Sequence, residues 1–372
     1  MFGKSKQSTK STETPSDQPM QFSIEDTAPC QKAVRVQVLP AAIAPVRESV
    51  LREFQKEARL DGFRKGHAPT NLVEKRFGSS IQDETLQRVT RLAFEQAAKE
   101  HELRPVGPFE VSKADYLEEQ GLTLEAKVEV EPVFTLAEYR GVALKRPAVA
   151  VSPEEVNKAL TQLQESMAQL VPSADGQTKE RQVPALDDEL AKDLGQESLD
   201  KLKEHVQGKL REQKQTAIKQ ALEASACDAL VEKHPFEVPS GLVQRQAERL
   251  TRDFKVRLLM SGLPEEQADG ELSKFTDKLR TSAERQVKLS FVMDRIAEKE
   301  ALQVTQDELV ERLWQLSQRW NKDPLQVREI LDKEGLWQSV VSSIRQDKTL
   351  ALVMEAAAIT DEEPRAIKEG GK

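Results

Sequence analysis

The chain has 372 residues, of which 32% are charged and only 5% aromatic, and its formal net charge is −8. Its length allows two or three domains with substantial cores. The negative balance argues against a generally basic nucleic-acid binder, and the scarcity of aromatic residues argues against a base-stacking platform for single-stranded nucleic acid.

The sequence shows no membrane or secretory signal. No apolar run approaches the roughly 18 residues that can span a bilayer, and the N-terminus lacks the apolar centre of a signal peptide. Cys30 and Cys227 are the only cysteines, which favours buried thiols in a reducing compartment over a disulfide framework. We therefore expect a cytoplasmic protein.

Residues 1–19 are polar and rich in Ser, Thr, Lys and Pro, which predicts a disordered N-terminal extension. Residues 20–132 then predict a compact α+β domain. Four stretches alternate polar and apolar residues as half-buried strands do, namely 21–25, 34–39, 105–116 and 122–134. Three stretches between them have the apolar spacing of helices, namely 41–60, 70–77 and 80–102. We expect Gly78 to end the second of these helices.

The most informative segment lies between the first two of these helices and reads Gly-Phe-Arg-Lys-Gly-His-Ala-Pro. Gly62 and Gly66 allow backbone angles that are closed to other residues, and Pro69 fixes its own φ angle. The residues between the two glycines are Phe63, Arg64 and Lys65. Because nothing in the sequence offers them a packing partner, we predict a loop tip that presents a docking surface. The alternative is an ordinary helix–helix turn with a solvated Arg-Lys pair.

This loop also lies in a locally basic stretch of the acidic chain. Residues 59–76 contain five cations, Arg59, Arg64, Lys65, Lys75 and Arg76, against two acids, Asp61 and Glu74. The sequence therefore permits a local site for an anionic partner, although the chain as a whole is acidic.

The remainder of the chain is predominantly helical in pattern. Residues 133–184 predict an extended connector, a helix that begins at Ser152 and Pro153, and a short polar linker. Residues 185–360 predict four or more amphipathic helices, which breaks at Pro and Gly divide into antiparallel arms. Residues 361–372 are charged and carry two glycines, which predicts a disordered tail. The predicted fold class is mainly α with an α+β N-terminal domain, in an elongated multi-domain chain.

These motifs resemble those of trigger factor, the bacterial chaperone that meets nascent chains at the ribosomal exit tunnel. The matching segments follow one another along the chain at 20–25, 62–69, 71–78, 186–195 and 236–243. The resemblance implies a ribosome-binding domain followed by a helical arm domain. It covers about 20–170 and 185–360, and the loop is its most specific motif.

By this resemblance, Phe63, Arg64 and Lys65 match the positions that contact protein and rRNA of the large ribosomal subunit beside the tunnel exit. Gly62, Gly66 and Pro69 match the positions that shape the loop. His67 and Ala68 depart from the family, which often has a cation and a β-branched residue there. That departure puts one phosphate contact in doubt.

The chain also departs from the family by a missing module. Trigger factors usually insert a prolyl-isomerase domain of about 100 residues between the halves of the helical body. Residues 171–184 bridge that gap here and are too few to form such a domain. Two alternatives stay open beside the chaperone reading: a folding helper with isomerase activity, and a helical scaffold for one folded partner.

No motif predicts a cofactor, a metal or a catalytic site. The four histidines are scattered, no Cys-x-x-Cys pair occurs, and no glycine-rich phosphate loop is present. We therefore expect an ATP-independent, ribosome-associated chaperone that binds nascent and unfolded polypeptides and no membrane. The sequence leaves open whether it forms a homodimer. We expect the three tryptophans to fill cores rather than to line a client surface: Trp314, Trp320 and Trp337.

Overall fold

The computed structural model describes residues 19–172 and 179–362. They form two compact units. Unit 1 comprises the described residues of 19–134 together with 236–291, and unit 2 comprises the described residues of 135–235 and 292–362. The predicted N-terminal extension lies almost entirely outside the described residues, as does the predicted tail beyond Glu362.

Unit 1 begins with an antiparallel sheet and two helices. In chain order these elements are β1 (Met20–Ala28), β2 (Gln31–Val38), α1 (Pro40–Glu57), α2 (Thr70–Glu100), β3 (Glu110–Leu117) and β4 (Gly121–Glu129). The strand order is β1-β2-β4-β3, and every neighbouring pair is antiparallel. The predicted α+β region is thereby confirmed.

The remaining elements are mainly helical, as the sequence predicts. They are β5 (Ala143–Arg146), α3 (Pro153–Ser166), β6 (Gln169–Pro172), β7 (Lys179–Gln182), α4 (Asp188–Asp193), α5 (Leu199–Lys233), α6 (Ser240–Met260), α7 (Glu265–Lys299), α8 (Gln306–Trp320), α9 (Pro324–Lys333), α10 (Trp337–Glu355) and β8 (Ala358–Asp361). Within the part of the chain that the model describes, no helix is long and apolar enough to cross a bilayer.

The core of unit 1 lies between the sheet and α2. Alternate residues of β2 and β4 point to one face because side chains alternate along a strand, and these residues are fully buried. From α2, Val89, Ala93 and Ala97 pack on that face at a helical spacing of four. The small alanine side chains let the helix approach the sheet closely, and Phe94 stacks on Phe109 with ring centroids 4.4 Å apart.

The structure differs from the prediction at Gly78, because α2 continues through this residue instead of ending there. A glycine costs a helix about 1 kcal/mol relative to alanine, which is not enough to break it when both flanks are buried. Val73 and Ile81, which lie on either side of Gly78, are both buried in one small core with Val50 of α1. Tertiary packing therefore outweighs the local signal.

Unit 1 also contains α6 and the larger part of α7. The carboxylate of Glu129, at the end of β4, accepts hydrogen bonds from the Gly241 N–H (2.6 Å) and the Ser240 hydroxyl (3.2 Å). These groups belong to the first turn of α6, where an acceptor satisfies free backbone N–H groups. Residues 236–291 are thus anchored to the N-terminal sheet, a pairing that the sequence did not reveal.

The described residues of unit 2 include several small groups of buried apolar side chains. One joins α3, α4 and α5 through Leu160, Ala191 and Leu202, and another joins α9 and α10 with partly buried residues of α8. A third group of buried residues occupies the end of α7, at Val292, Met293, Ile296 and Ala297. The predicted extended connector contributes β5, which pairs in parallel with β8 near the C-terminus.

Candidate functional site

The loop between α1 and α2 consists of two consecutive tight turns. In the first turn the Phe63 N–H donates to the Leu60 carbonyl oxygen over 3.0 Å, and in the second the His67 N–H donates to the Arg64 carbonyl oxygen over 3.0 Å. Each turn therefore spans four residues, and the second begins where the first ends. This arrangement folds residues 60–67 into a defined shape and leaves residues 61–65 exposed.

Glycine is required at the third position of each turn. Gly62 has a φ angle of +86° and Gly66 one of +82°, which is the left-handed region that a type II turn needs at that position. A Cβ atom on Gly62 would meet nothing within 4 Å, so its requirement is purely conformational. A Cβ atom on Gly66 would also lie 3.4 Å from the Lys56 carbonyl oxygen. The four-residue spacing of the glycines thus encodes the tandem turns.

The stems of the loop are held by buried alanines. Ala58 and Ala68 lie in the same small core as Val50, Val73 and Ile81. The Gln55 side-chain amide donates to the Ala68 carbonyl oxygen over 2.8 Å, which ties the far stem to α1. Because both stems are fixed, the tip has a defined position on the domain formed by β1–β4, α1 and α2, which we call the head.

Pro69, the third predicted shaping residue, is the N-cap of α2. Its carbonyl oxygen accepts hydrogen bonds from the Leu72 and Val73 N–H groups. Its fixed φ angle suits the last residue before a helix, so it ends the loop and starts α2. The structure thus brings all the predicted loop residues together in one feature.

The tip presents Phe63, Arg64 and Lys65 to solvent, as predicted. Phe63 is 42% exposed and is not part of the small core that holds the loop stems. Arg64 and Lys65 are exposed and form no ion pair with any residue that the model describes. The tip therefore offers one apolar ring and two uncompensated charges.

The tip borders a shallow groove on the same side of the head. Its apolar part comes from Leu60, Phe63 and Leu72, and most of its charge comes from Arg59, Lys75 and Arg76. Asp61 also lines it. This wider basic surface extends beyond the three tip residues that the family resemblance singled out.

The helices beneath the loop are clamped by ion pairs. The Arg88 guanidinium of α2 donates to both carboxylate oxygens of Glu53 on α1, over 2.8 and 2.6 Å. These hydrogen bonds lower the pKa of the Glu53 carboxyl and raise the pKa of Arg88. A second pair joins Arg47 to Glu74. Glu53 and Glu74 are thus engaged by partners other than the loop cations.

Two exposed apolar surfaces stand out elsewhere. The first is at the α6–α7 turn, where Val256, Leu259 and Met260 at the C-terminal end of α6 are exposed, Met260 by 84%. Lys255 closes this hairpin with ion pairs to Asp269 (2.8 Å) and Glu265 (3.0 Å). The α6–α7 turn is therefore held in place while the apolar side chains beside it stay exposed to solvent.

The second surface is on α8 in unit 2, where Val310 and Trp314 lie one helical turn apart and Trp314 is 56% exposed. Our expectation that the tryptophans fill cores is wrong for Trp314 and for Trp320, which is 38% exposed. Only Trp337 packs against a buried cluster. The apolar stripe of α8 is wider than its buried face, which the spacing alone did not show.

Among the described residues, no group of His, Cys, Asp and Glu side chains is arranged to hold a metal ion. Cys30 donates to the Glu237 carbonyl oxygen over 3.3 Å, and burial raises the pKa of its thiol. A raised thiol pKa disfavours the reactive thiolate.

Comparison with known proteins identifies two matching family models. The model of the N-terminal region of "Bacterial trigger factor protein (TF)" matches residues 20–163, and that of the C-terminus matches residues 198–355. A trigger factor of Anaeromyxobacter sp. (strain Fw109-5) is 24% identical, covering 91% of this chain and 99% of its own length. One of Geotalea daltonii is 25% identical, covering 94% and 100%.

A solved structure described as "Promiscuous Substrate Recognition in Folding and Assembly Activities of the Trigger Factor Chaperone" is also similar. It shares 17% identity, covers 90% of this chain and 99% of its own, and has a TM-score of 0.47.

The alignments also bear on the missing module. The alignment with the Anaeromyxobacter relative spans 428 positions, more than the 372 residues of this chain. That relative therefore has residues with no counterpart here. The two matched ranges leave only residues 164–197 between them.

Proposed function

Because the chain belongs to the trigger factor family and has its ribosome-associated chaperone role, we propose that it docks on the large ribosomal subunit beside the exit tunnel through Phe63, Arg64 and Lys65. There it holds nascent and unfolded polypeptides without ATP. The observation that carries the docking proposal is the loop tip itself, a rigid tandem turn with an exposed phenyl ring and two unpaired cations.

The chemistry of the tip suits a ribosomal surface. A guanidinium and an ammonium group can form charge-assisted hydrogen bonds with acidic side chains or with RNA phosphate. A phenyl ring that enters an apolar notch is the kind of anchor that dominates small interfaces. Because the two turns fix the backbone beforehand, little conformational entropy is lost on docking.

The direct test replaces Phe63, Arg64 and Lys65 by alanine in the full chain and measures co-sedimentation with ribosomes. We expect binding to be lost with an unchanged circular dichroism spectrum, because truncation of exposed side chains creates no cavity. Wild-type binding should also weaken as salt rises, since exposed charges are screened.

The matched control replaces one exposed apolar residue and two exposed cations by alanine on α2, away from the loop. These are Leu92, Arg91 and Lys99. This variant should bind ribosomes like the wild type. Full binding by the tip variant would refute the docking assignment.

We propose that the two exposed apolar surfaces, on the α6–α7 turn and on α8, contact clients. Every 100 Å² of apolar client surface that is buried contributes roughly 2.5 kcal/mol before the entropic costs of binding. Several weak contacts of this kind retain a client reversibly and need no nucleotide. This matches the absence of a phosphate-binding glycine loop from the sequence.

The client proposal is tested by light scattering from an aggregating client, with and without ATP. Serine replacements at Val256, Leu259 and Met260 should reduce protection in part, and further serines at Val310 and Trp314 should reduce it more. Protection that depends on ATP, or that survives both sets of replacements, would contradict the proposal. Ribosome binding should not change in any of these variants.

We also propose that the chain does not catalyse cis/trans exchange at X-Pro bonds. The uncatalysed barrier is roughly 18–20 kcal/mol, and lowering it needs a shaped pocket around the proline. Residues 164–197 are too few for the domain that would carry one. A protease-coupled proline-peptide assay that shows acceleration in proportion to the concentration of the purified chain would contradict this.

We also propose that the protein is cytoplasmic. We expect the protein in the cytosolic fraction, partly bound to ribosomes in low salt. Sedimentation equilibrium decides between a monomer and a homodimer.

A further inference from the structure

The groove beside the docking tip contains three cations that the docking proposal does not use. Arg59 lies before the first turn of the loop, and Lys75 and Arg76 lie in the N-terminal part of α2. All three are exposed and line the same groove as Phe63. We name these three residues the basic rim.

The basic rim is electrostatically uncompensated. None of its three side chains forms an ion pair or hydrogen bond with the residues that the model describes. The nearest acid in sequence, Glu74, is paired with Arg47. Asp61 lines the groove as well, so that three positive charges face one negative charge there.

Several arginines of α1 and α2 have carboxylate partners, whereas Arg91 and Lys99 have none among the described residues. Arg52 pairs with Glu48, and Arg88 pairs with both Glu53 and Glu84. The basic rim differs from Arg91 and Lys99 because its three members line one groove. In a chain with a net charge of −8, acids are abundant, so unpaired cations do not follow from a shortage of partners. A cluster of such cations marks a surface that an external anion can neutralise.

The form of the groove favours a phosphate backbone over an acidic protein side chain. It is shallow and predominantly polar, and its cations come from two segments, Arg59 from the loop stem and Lys75 and Arg76 from α2. A single carboxylate could satisfy only one or two of these groups. Successive phosphates of RNA present repeated charges along a line, which suits several separate cations.

We propose that Arg59, Lys75 and Arg76 bind backbone phosphates of RNA, as a second contact beside the Phe63-Arg64-Lys65 tip. The RNA that this surface meets is ribosomal, which rests on the proposed docking function. Since phosphate contacts carry no sequence information, the basic rim orients the head and adds salt-dependent affinity without selecting a base sequence.

The test replaces Arg59, Lys75 and Arg76 by glutamine in the full chain and measures affinity for purified large ribosomal subunits over a salt series. A protein that neutralises phosphates shows a slope of about −0.7 to −0.9 per phosphate in a plot of log affinity against log salt. We expect the slope of the variant to be less steep by about two to three. The tip should still support measurable binding at low salt.

The control variant carries an equal change of charge at exposed cations away from the loop, namely Arg91→Gln, Lys99→Gln and Lys145→Gln. Lys99 lies about 36 Å from Lys75 along α2, given a rise of about 1.5 Å per residue. This variant should keep the wild-type slope, which separates a local contact from the effect of net charge. Circular dichroism checks the fold of both variants.

A second arm uses a protein-free RNA hairpin as the probe, at low salt, with fluorescence anisotropy as the readout. We expect the rim variant to bind the hairpin more weakly than both the wild type and the control variant. Ribosome affinity that falls with an unchanged salt slope, together with unchanged hairpin binding, would overturn the proposal in favour of an acidic ribosomal protein.

The two arms also separate the proposals from each other. If the wild type does not bind ribosomes, the docking function fails, whereas the hairpin arm still decides whether the rim binds RNA phosphate. Equal hairpin binding by the wild type and the rim variant would overturn the rim assignment even if the tip docks as proposed.

Discussion

The two units use their charged side chains in different ways. In unit 1, the cations of the docking tip and the basic rim have no carboxylate partner among the described residues. In unit 2, the described carboxylates with a pKa lowered by cations or by N–H and O–H donors include Glu155, Glu300, Glu308 and Asp361. Among the described residues of unit 1, only Glu53 has such a shift.

Glu300 illustrates how charged side chains are paired in unit 2. Its carboxylate accepts hydrogen bonds from the buried Tyr139 hydroxyl over 2.5 Å and from the Arg140 guanidinium over 2.6 Å. Those donors lie in the connector before β5, whereas Glu300 follows the end of α7. The two hydrogen bonds therefore tie together segments that are far apart in sequence. They also lower the pKa of Glu300, and the hydrogen bond from Tyr139 has the larger effect.

The comparison indicates that charge in unit 2 holds helices and connectors in place, whereas the cations of the docking tip and the basic rim are left for a partner. An unpaired charge is useful to a partner only if the backbone that carries it is fixed, which is the role of the two loop glycines. Three predictions follow from this contrast, in order of decreasing effect.

The largest effect is expected from Gly66→Val. A side chain at a left-handed φ angle costs about 1–2 kcal/mol, and here the Cβ atom also approaches the Lys56 carbonyl oxygen at 3.4 Å. Distortion of the second turn should lower ribosome affinity about tenfold or more. The control is Gly262→Val at the α6–α7 turn, where φ is +90° and no atom lies within 4 Å of the added Cβ. It should leave ribosome binding unchanged, and equal losses in the two variants would refute the role of the loop backbone.

The second prediction is that acid destabilises unit 2 before unit 1. A carboxyl whose pKa is lowered on folding stabilises the protein fully above its unfolded pKa, and this stabilisation is lost as pH falls through the folded pKa. The reference values are 4.5 for Glu and 3.8 for Asp, so the loss begins below about pH 5 and continues below 3.8. All three tryptophans lie in unit 2, so their fluorescence reports on that unit alone.

The companion measurement for unit 1 is amide hydrogen exchange of the central strands β2 and β4. On acidification, tryptophan fluorescence should change at a higher pH than the loss of exchange protection in those strands. If the sheet loses protection first, or both signals change together, then the two units do not differ in the way proposed.

The smallest effect is expected from Glu300→Gln. This substitution removes one carboxylate whose pKa is lowered on folding, so it should lower the stability of unit 2 at neutral pH and make its stability less dependent on pH between about 3 and 5. The control is Glu204→Gln, which removes only a surface ion pair with Lys201 three residues away. An equally steep acid transition in the wild type and Glu300→Gln would show that this carboxylate does not contribute.

The sequence by itself predicted the features whose physics is local. Two glycines four residues apart, with a proline after them, encode the tandem turns. Glycine adopts a left-handed φ angle by its own backbone preference, so these turns do not depend on contacts with distant residues. Exposure of Phe63, Arg64 and Lys65 follows from the same short segment. The α+β region and the helical remainder were also predictable, since apolar periodicity directly reflects which face is buried.

Only the tertiary structure decided the features that depend on distant partners. The pairing of β5 with β8 joins segments more than 200 residues apart, as does the ion pair between Arg146 and Asp361, 215 residues apart. Continuity of α2 through Gly78 depends on burial against α1, and the exposure of Trp314 depends on what covers α8. The unpaired state of the basic rim is likewise invisible in sequence, because Glu74 stands beside Lys75 in the chain but pairs with Arg47 of another helix. Local conformation is determined by neighbours in sequence, whereas the partner of a side chain is determined by which elements the fold brings together.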